Sequence, residues 1–438
     1  GYAVRKARGL RDLAVEDDGA VVAHAPVRPV ATRGDTLNVG LLSASFRAVA
    51  DGVIRVELVH HRGAPDRGPR FEVAGEAGFT GVVETIETGE TGETGEAGRA
   101  GRAVTLRAGS LAVTVHEGAE WTAEFSSDGR RLTASPPRAV AHVTGPDGTA
   151  YMREQLSLRP GERVYGLGER FGPLTRNGQS VEIWNEDGGT ASEQAYKNVP
   201  FYLTSAGYGV LVDHPGGVSF EVGSEAVART QFSVEGERLA YYVIDGPAPK
   251  DVLRRYTTLT GRPPMLPTWS FGLWLTTSFT TDYDESTVAS FVDGMAERGL
   301  PLSVFHFDCF WMRALHWCDF VWDPDTFPDP AGMLARLRAR GLRVCVWVNP
   351  YIAQRSALFD EGLAGGYLVR TDGGGVWQTD LWQAGMALVD FTNPEAAAWY
   401  SSKLEALVDM GVDCFKTDFG ERIPVRGIAW HDGSDPEK

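Results

Sequence analysis

VFHFDCFWMRALHWCDFVWDPDTFPDPAGMLARLRARGLRVCVWVNP, residues 304–350, carries the pattern that decides the fold. A compact apolar run, VFHFDCF, is followed by a Pro- and Asp-rich connection, an amphipathic stretch PAGMLARLRARG, and a second apolar run, VCVWVNP. Strand, helix, strand in that order implies two parallel strands joined by a right-handed crossover. The rhythm extends both ways. Upstream stand FGLWLT and the helix-like STVASFVDGMAERG, and downstream NPEAAAWYSSKLEALVDMG and VDCFKTDFG. Asn393 suits a helix cap, Pro394 the first helical position, and Gly341 and Gly411 the C-terminal stops. Repeated units of this kind build a barrel or an open doubly wound sheet. Four fit before Lys438, whereas a closed (β/α)8 TIM barrel needs eight. The expectation is the first half of a barrel, completed by further sequence or by a partner chain.

Before residue 245 the pattern differs. Short β-branched, alternating runs such as VIRVELVHH, LAVTVHE, FYLTSAGYGVLVDHP and VSFEVGS are broken by Gly, Pro, Asp and Asn, the signature of an all-β sandwich. The repetitive tract TGETGETGEAGRAGRA, residues 88–103, reads as a solvated loop between two hairpin strands. DVLRRYTTLTG reads as a helix ending at Gly261, with the Pro-rich joint RPPMLP behind it. The expected domains are residues 1–250, a β-sandwich, and 251–438, the first half of the barrel.

The composition excludes several classes. Hydrophobic residues make up 43% and charged residues 23% of the 438 positions, which is ordinary for a globular protein. Acidic residues outnumber basic ones 58 to 42, a net charge of −16, and that field repels nucleic acid. No apolar run approaches the length of a membrane span, and the start GYAVRKARGLRDL lacks the apolar core of a signal peptide. Cys309, Cys318, Cys345 and Cys414 show neither metal-ligand spacing nor a disulfide framework. A reducing cytoplasm is expected, with no metal and no cofactor; a homo-oligomer is compatible with the sequence.

In a barrel, side chains at the C-terminal ends of the strands line the active site. Here those are Phe279 after the first strand, Asp308, Cys309 and Phe310 after the second, Trp347 on the third, and Lys416 and Asp418 on the fourth. Aromatic rings offer platforms to sugar faces and carboxylates accept hydrogen bonds from hydroxyls, so the set suits a carbohydrate. Lys416 and Asp418, two apart on a strand, emerge on one face, and the ammonium favours an ionised carboxylate. Plainer readings stand beside these. Asp418 could be a salt-bridged strand end, and Asp308 a buried Asp bonded to backbone amides. Cys345 and Cys414 read as small buried hydrophobes, Trp311 as a core aromatic, His306 as a satisfied core imidazole, and Asp432 and Asp435 as a turn.

KTDFGERIP, residues 416–424, resembles the nucleophile signature of glycoside hydrolase family 31. VYGLGERFGPLTRNGQSVEIWNEDGGTASEQAYKNVPFYLT, FGLWLTTSFTTDYDE, HFDCFWM, VWDPDTFPDP and VCVWVNPYIAQ resemble the α-xylosidase branch of that family, in family order. The resemblance implies a retaining α-glycosidase that releases terminal, non-reducing α-linked xylose. It makes Asp418 the nucleophile, Asp308 a hydrogen-bond acceptor for sugar hydroxyls, and Trp347 and Lys416 walls of the same subsite. Phe279, Cys309 and Phe310 match positions that crowd the place of a glucose hydroxymethyl group, and Asp187 matches a loop reaching over the barrel mouth. The family's acid/base residue lies beyond the stretch present here. α-Glucosidase or α-transxylosylase activity would use the same intermediate, and a folded fragment or sugar-binding subunit without turnover is the reading from another class.

Overall fold

The computed structural model describes the chain apart from residues 11, 65–69, 74, 76–77, 89–100, 187–192, 280–281, 283, 421 and 437–438. It divides into two compact units, Gly1–Arg262 and Pro263–Lys438.

The first unit is built from antiparallel sheets of eight, six and five strands. Their inner faces meet in one apolar core. The strand Leu41–Ala50 shows why: Leu42, Ala44, Phe46, Ala48 and Ala50 are buried in strict alternation, the period-2 pattern of a half-buried strand. On either side of the repetitive tract, Val82–Thr88 pairs with Gly101–Ala108 as the expected hairpin, and residues 89–100 between them lie outside the described residues.

Tyr208–Val212 is buried along its whole length. One face, with Tyr208, Val210 and Val212, enters the sandwich core. The other packs Leu211 with Phe201, Tyr242 and Ile244 beneath Val252 and Leu259 of the helix Pro249–Thr260. Gly209 permits that approach, since a Cβ there would meet Val252 and Phe201 within 2.9 Å. The helix therefore belongs to the first unit, and the boundary falls after Arg262 rather than after residue 250. The Pro-rich joint RPPMLP, behind Gly261, is where the first unit ends.

The second unit holds the parallel strands β1 (Leu273–Thr276), β2 (Leu302–Phe307), β3 (Arg343–Val348) and β4 (Cys414–Thr417), adjacent in that order. Helix α1 (Glu285–Glu297) joins β1 to β2, and α2 (Pro330–Ala339) joins β2 to β3. Between β3 and β4 lie α3 (Ala357–Gly365), a small antiparallel sheet of Tyr351–Ile352, Met386–Leu388 and Gln378–Thr379, and α4 (Pro394–Met410). The expected punctuation is present: Asn393 accepts a hydrogen bond from Glu395 N at 3.0 Å, and α4 stops at Gly411 with φ 128°. Helix α3 and the small sheet were not expected. No helix among the described residues is long and apolar enough to cross a membrane.

One polar group sits at the centre of the sandwich. Glu154, fully buried, accepts from Gln155 N at 2.7 Å, Ser135 Oγ at 2.9 Å and Tyr241 Oη at 3.1 Å, and Ser135 in turn accepts from Trp121 Nε1. Burial outweighs these donors and pushes the carboxyl from 4.5 up to about 7. The folded protein thus holds the proton more tightly than the unfolded chain, so this group's contribution to stability falls as pH rises from 4.5 to about 7. Across that window the wild type is expected to lose about 3 kcal/mol of unfolding free energy that Glu154→Gln does not lose. Denaturant midpoints from pH 4.5 to 8 check this; equal slopes in both proteins would contradict it.

Candidate active site

The register of the parallel sheet aligns one row of side chains. Thr276 lies opposite His306, His306 opposite Cys345, and Cys345 opposite Cys414. One step nearer the C-terminal ends, Trp347 lies opposite Lys416. Asp308 follows β2 directly and Asp418 follows β4, its backbone N–H extending the ladder to Val348 O at 2.9 Å. Alternation along each strand puts His306 with Asp308, Cys345 with Trp347, and Cys414 with Lys416 and Asp418 on the same face.

Asp308, Trp347, Lys416 and Asp418 come together there. Trp347 Nε1 donates to Asp418 Oδ2 at 2.6 Å, and Lys416 Nζ stands 3.4 Å from that oxygen and 3.9 Å from Asp308 Oδ2. Asp308 Oδ1 accepts from Cys309 N at 2.8 Å. An indole N–H only donates, so it holds Asp418 Oδ2 as an acceptor. Asp418 Oδ1 has no hydrogen-bond partner among the described residues, and the side chain is 29% exposed. The arrangement can present one oriented carboxylate oxygen to a reactant while one ammonium stands near two carboxylates.

Phe279 lies on the exposed turn after β1. Phe310 meets Trp317 edge-on at 5.6 Å. Cys309 falls in the short 3-10 turn Cys309–Trp311 rather than in a strand, and burial together with adjacent Asp308 pushes its thiol up to about 12. The thiol is therefore neutral rather than a nucleophilic thiolate. Trp311 is a core residue whose Nε1 donates to Trp347 O at 2.9 Å, which helps fix the backbone that carries the Trp347 indole. Asp432 Oδ1 accepts from Ser434 N at 2.9 Å, in a turn. Asp187 lies outside the described residues.

His306 departs from expectation. It is buried, but its Nε2 finds no hydrogen-bond partner among the described residues. Burial, opposed by Asp308 and reinforced by Lys416, keeps its protonation below the ordinary His range. A neutral ring therefore sits below the carboxylates. A further contact was not anticipated: Trp382 stacks on Phe419 at 3.7 Å, with the Arg422 guanidinium 5.1 Å from the Trp382 ring. Both aromatics sit at positive φ, 67° and 51°, uncommon for large side chains. The loop after Asp418 is anchored by Arg422 N, which donates to the buried Tyr351 Oη at 3.1 Å. The available signal was the aromatic directly after Asp418; its partner lies 37 positions upstream by the numbering.

Residues 43–221 match the glycosyl hydrolase 31 N-terminal galactose mutarotase-like domain, and residues 263–436 match the glycosyl hydrolases family 31 TIM-barrel domain. The chain belongs to glycoside hydrolase family 31. It is 51% identical over 419 residues to an alpha-xylosidase of Emericella nidulans, covering 93% of this chain and 53% of the relative. It is 48% identical over 426 residues to the alpha-xylosidase XylQ of Lactiplantibacillus pentosus, covering 97% of this chain and 54% of that protein. The chain thus spans about half the length of these relatives. Among solved structures, a family 31 dextranase from Flavobacterium johnsoniae superposes with TM-score 0.80 at 23% identity, over 99% of this chain and 51% of the other, a likeness of fold.

The state of Cys309 is open to direct measurement. At pH 8 the native protein should leave Cys309 and the buried Cys318, whose thiol is likewise pushed up to about 12, unmodified by iodoacetamide while an unperturbed thiol is alkylated. Peptide mass spectrometry reads the outcome, and rapid labelling of Cys309 would contradict it.

Proposed function

We propose that this chain carries the nucleophile of a retaining α-glycosidase that hydrolyses terminal, non-reducing α-linked xylose. The observation that supports this most is the Asp418 carboxylate, bonded through Oδ2 to the Trp347 indole at the C-terminal end of a parallel sheet. Roughly half identity to two proteins named alpha-xylosidase supports the substrate. In the proposed reaction a lone pair of Asp418 Oδ1 attacks the anomeric carbon from the face opposite the leaving group. The glycosidic C–O bond breaks, and a general acid protonates the departing oxygen. Water, deprotonated by the same group acting as base, then attacks the anomeric carbon and releases Asp418, and two inversions give net retention.

The resemblance assigns Asp308 to sugar hydroxyls, Trp347 and Lys416 to the walls of that subsite, and Asp187 to a covering loop. Phe279, Cys309 and Phe310 are proposed to disfavour a hydroxymethyl substituent, so that xylose, which lacks it, is preferred. The general acid/base is assigned to the family's region beyond residue 438, and the four parallel strands are proposed as the first four of an eight-stranded barrel. Four free thiols are compatible with a cytoplasmic location.

The test is turnover by the whole protein of an aryl α-xyloside against an aryl α-glucoside. The xyloside is expected to react faster, and a faster glucoside would overturn the substrate assignment. Asp418→Asn should lower kcat by on the order of 10⁴-fold or more while leaving the fold intact by circular dichroism. Trp347→Phe, which removes one bond to a charged acceptor, should lower kcat/KM roughly 10- to 100-fold. Full activity in either variant would contradict the assignment.

A further inference from the structure

At one rim of the sandwich, three side chains from separate parts of the first unit converge. His60 follows the strand Val53–Val59 of the eight-stranded sheet, and Glu237 stands in the turn between Arg229–Glu235 and Arg238–Asp245. His142 belongs to Ala141–Thr144 of the six-stranded sheet. His60 N donates to Glu237 O at 2.9 Å, which pins the two backbones together. His60 Nδ1 lies 2.6 Å from Glu237 Oε2, and His142 Nε2 lies 3.4 Å from the same oxygen. The two imidazoles stack with centroids 4.0 Å apart and planes tilted by 30°. His61 stacks against His60 at 3.8 Å, and its Nδ1 is 3.8 Å from Glu237 Oε1.

Two features separate this cluster from an ordinary ion pair. His142 is only 3% exposed, yet neither ring nitrogen has a hydrogen-bond partner among the described residues, which is unusual for a buried polar group. In addition, the candidate donor atoms of His60, His142 and Glu237 all lie within 4.8 Å of one another. The edge between two ligand atoms on tetrahedral zinc is about 3.3 Å, from bonds of roughly 2.0–2.1 Å. The His142 to Glu237 separation of 3.4 Å already has that length, whereas the shorter His60 contact would open as a metal replaced its proton.

We infer that His60, His142 and Glu237 form a binding site for a divalent transition-metal ion of the zinc class, its fourth position turned toward His61 and solvent. Two imidazole nitrogens and one carboxylate suit such an ion; calcium and magnesium take oxygen ligands. The protonation states agree. Burial and His60, opposed by Glu237 and aided by Arg5, keep His142 below the ordinary His range, and the neutral imidazole is the form that ligates. Glu237 is partly buried, which favours its neutral form, but His60, His142 and His61 outweigh this and hold it in its carboxylate form. Arg5, the cross-strand neighbour of His142, adds a positive charge that the carboxylate offsets. A bound ion would tie the six-stranded sheet to the eight-stranded sheet. No such site was expected from the sequence, because residues 60, 142 and 237 carry no recognisable ligand spacing.

Titration of the untagged whole protein with Co²⁺, followed by visible d–d absorption, tests the site. One equivalent should saturate the band, Zn²⁺ should displace the cobalt, and Ca²⁺ should not. His142→Gln and Glu237→Gln should each weaken binding by about 10-fold or more. If His142→Gln fails to fold, Glu237→Gln, a near-isosteric change in a turn, decides alone. Absence of the band, or an unchanged affinity in Glu237→Gln, would overturn the inference.

Discussion

Asp418 stands one residue beyond β4, and what it can do depends on how β4 is registered against β3. Its amide is bonded to Val348 O, and Lys416 lies opposite Trp347. That alignment brings the Trp347 indole to one oxygen of Asp418 at 2.6 Å and leaves the other without a hydrogen-bond partner among the described residues. A slip of one residue would turn the whole set onto the opposite face of the strand, since side chains alternate with period two. The catalytic reading of Asp308, Lys416 and Asp418 thus rests on backbone pairing before it rests on any side-chain contact.

The pairing is itself held from behind. Phe305 and Phe307, on the face of β2 opposite His306 and Asp308, pack with Trp311, Trp322 and Phe327 in one aromatic cluster. Trp311 then reaches through to bond the carbonyl of Trp347. The same residue pair therefore joins the hydrophobic core of the second unit to the position of the indole that orients Asp418. In the first unit the equivalent constraint is apolar burial on both faces of Tyr208–Val212, which draws the helix Pro249–Thr260 onto the sheet and places the boundary after Arg262.

Much of this could be read from the chain because the signals are local. The alternation in VIRVELVHH, the apolar run VCVWVNP and the caps at Asn393 and Gly411 each state their structure within a few residues. Asp308, Trp347, Lys416 and Asp418 were legible together because strand ends converge in a parallel sheet, whatever their separation in sequence. What escaped is either short or long-range. Helix α3 has nine residues and the strands around it have two or three, too few to show a period. The Trp382 stack on Phe419, the burial of His306 Nε2 with no hydrogen-bond partner among the described residues, and the meeting of His60, His142 and Glu237 depend on tertiary packing that no local pattern encodes. The fate of Pro249–Thr260 was legible as a helix but not as to which core it covers, since its buried Val252 and Leu259 fit either.

The central claim is that the Asp418 carboxylate forms the covalent bond to the sugar. Treating the whole protein with a 5-fluoro-α-xylosyl fluoride, which slows release of a glycosyl intermediate, then digesting it and sequencing the adduct by mass spectrometry, tests this directly. The account predicts a single fluoroxylosyl ester on Asp418, with loss of activity in step with labelling. An ester on another carboxylate, or continued retaining hydrolysis with Asp418 unlabelled, would contradict it.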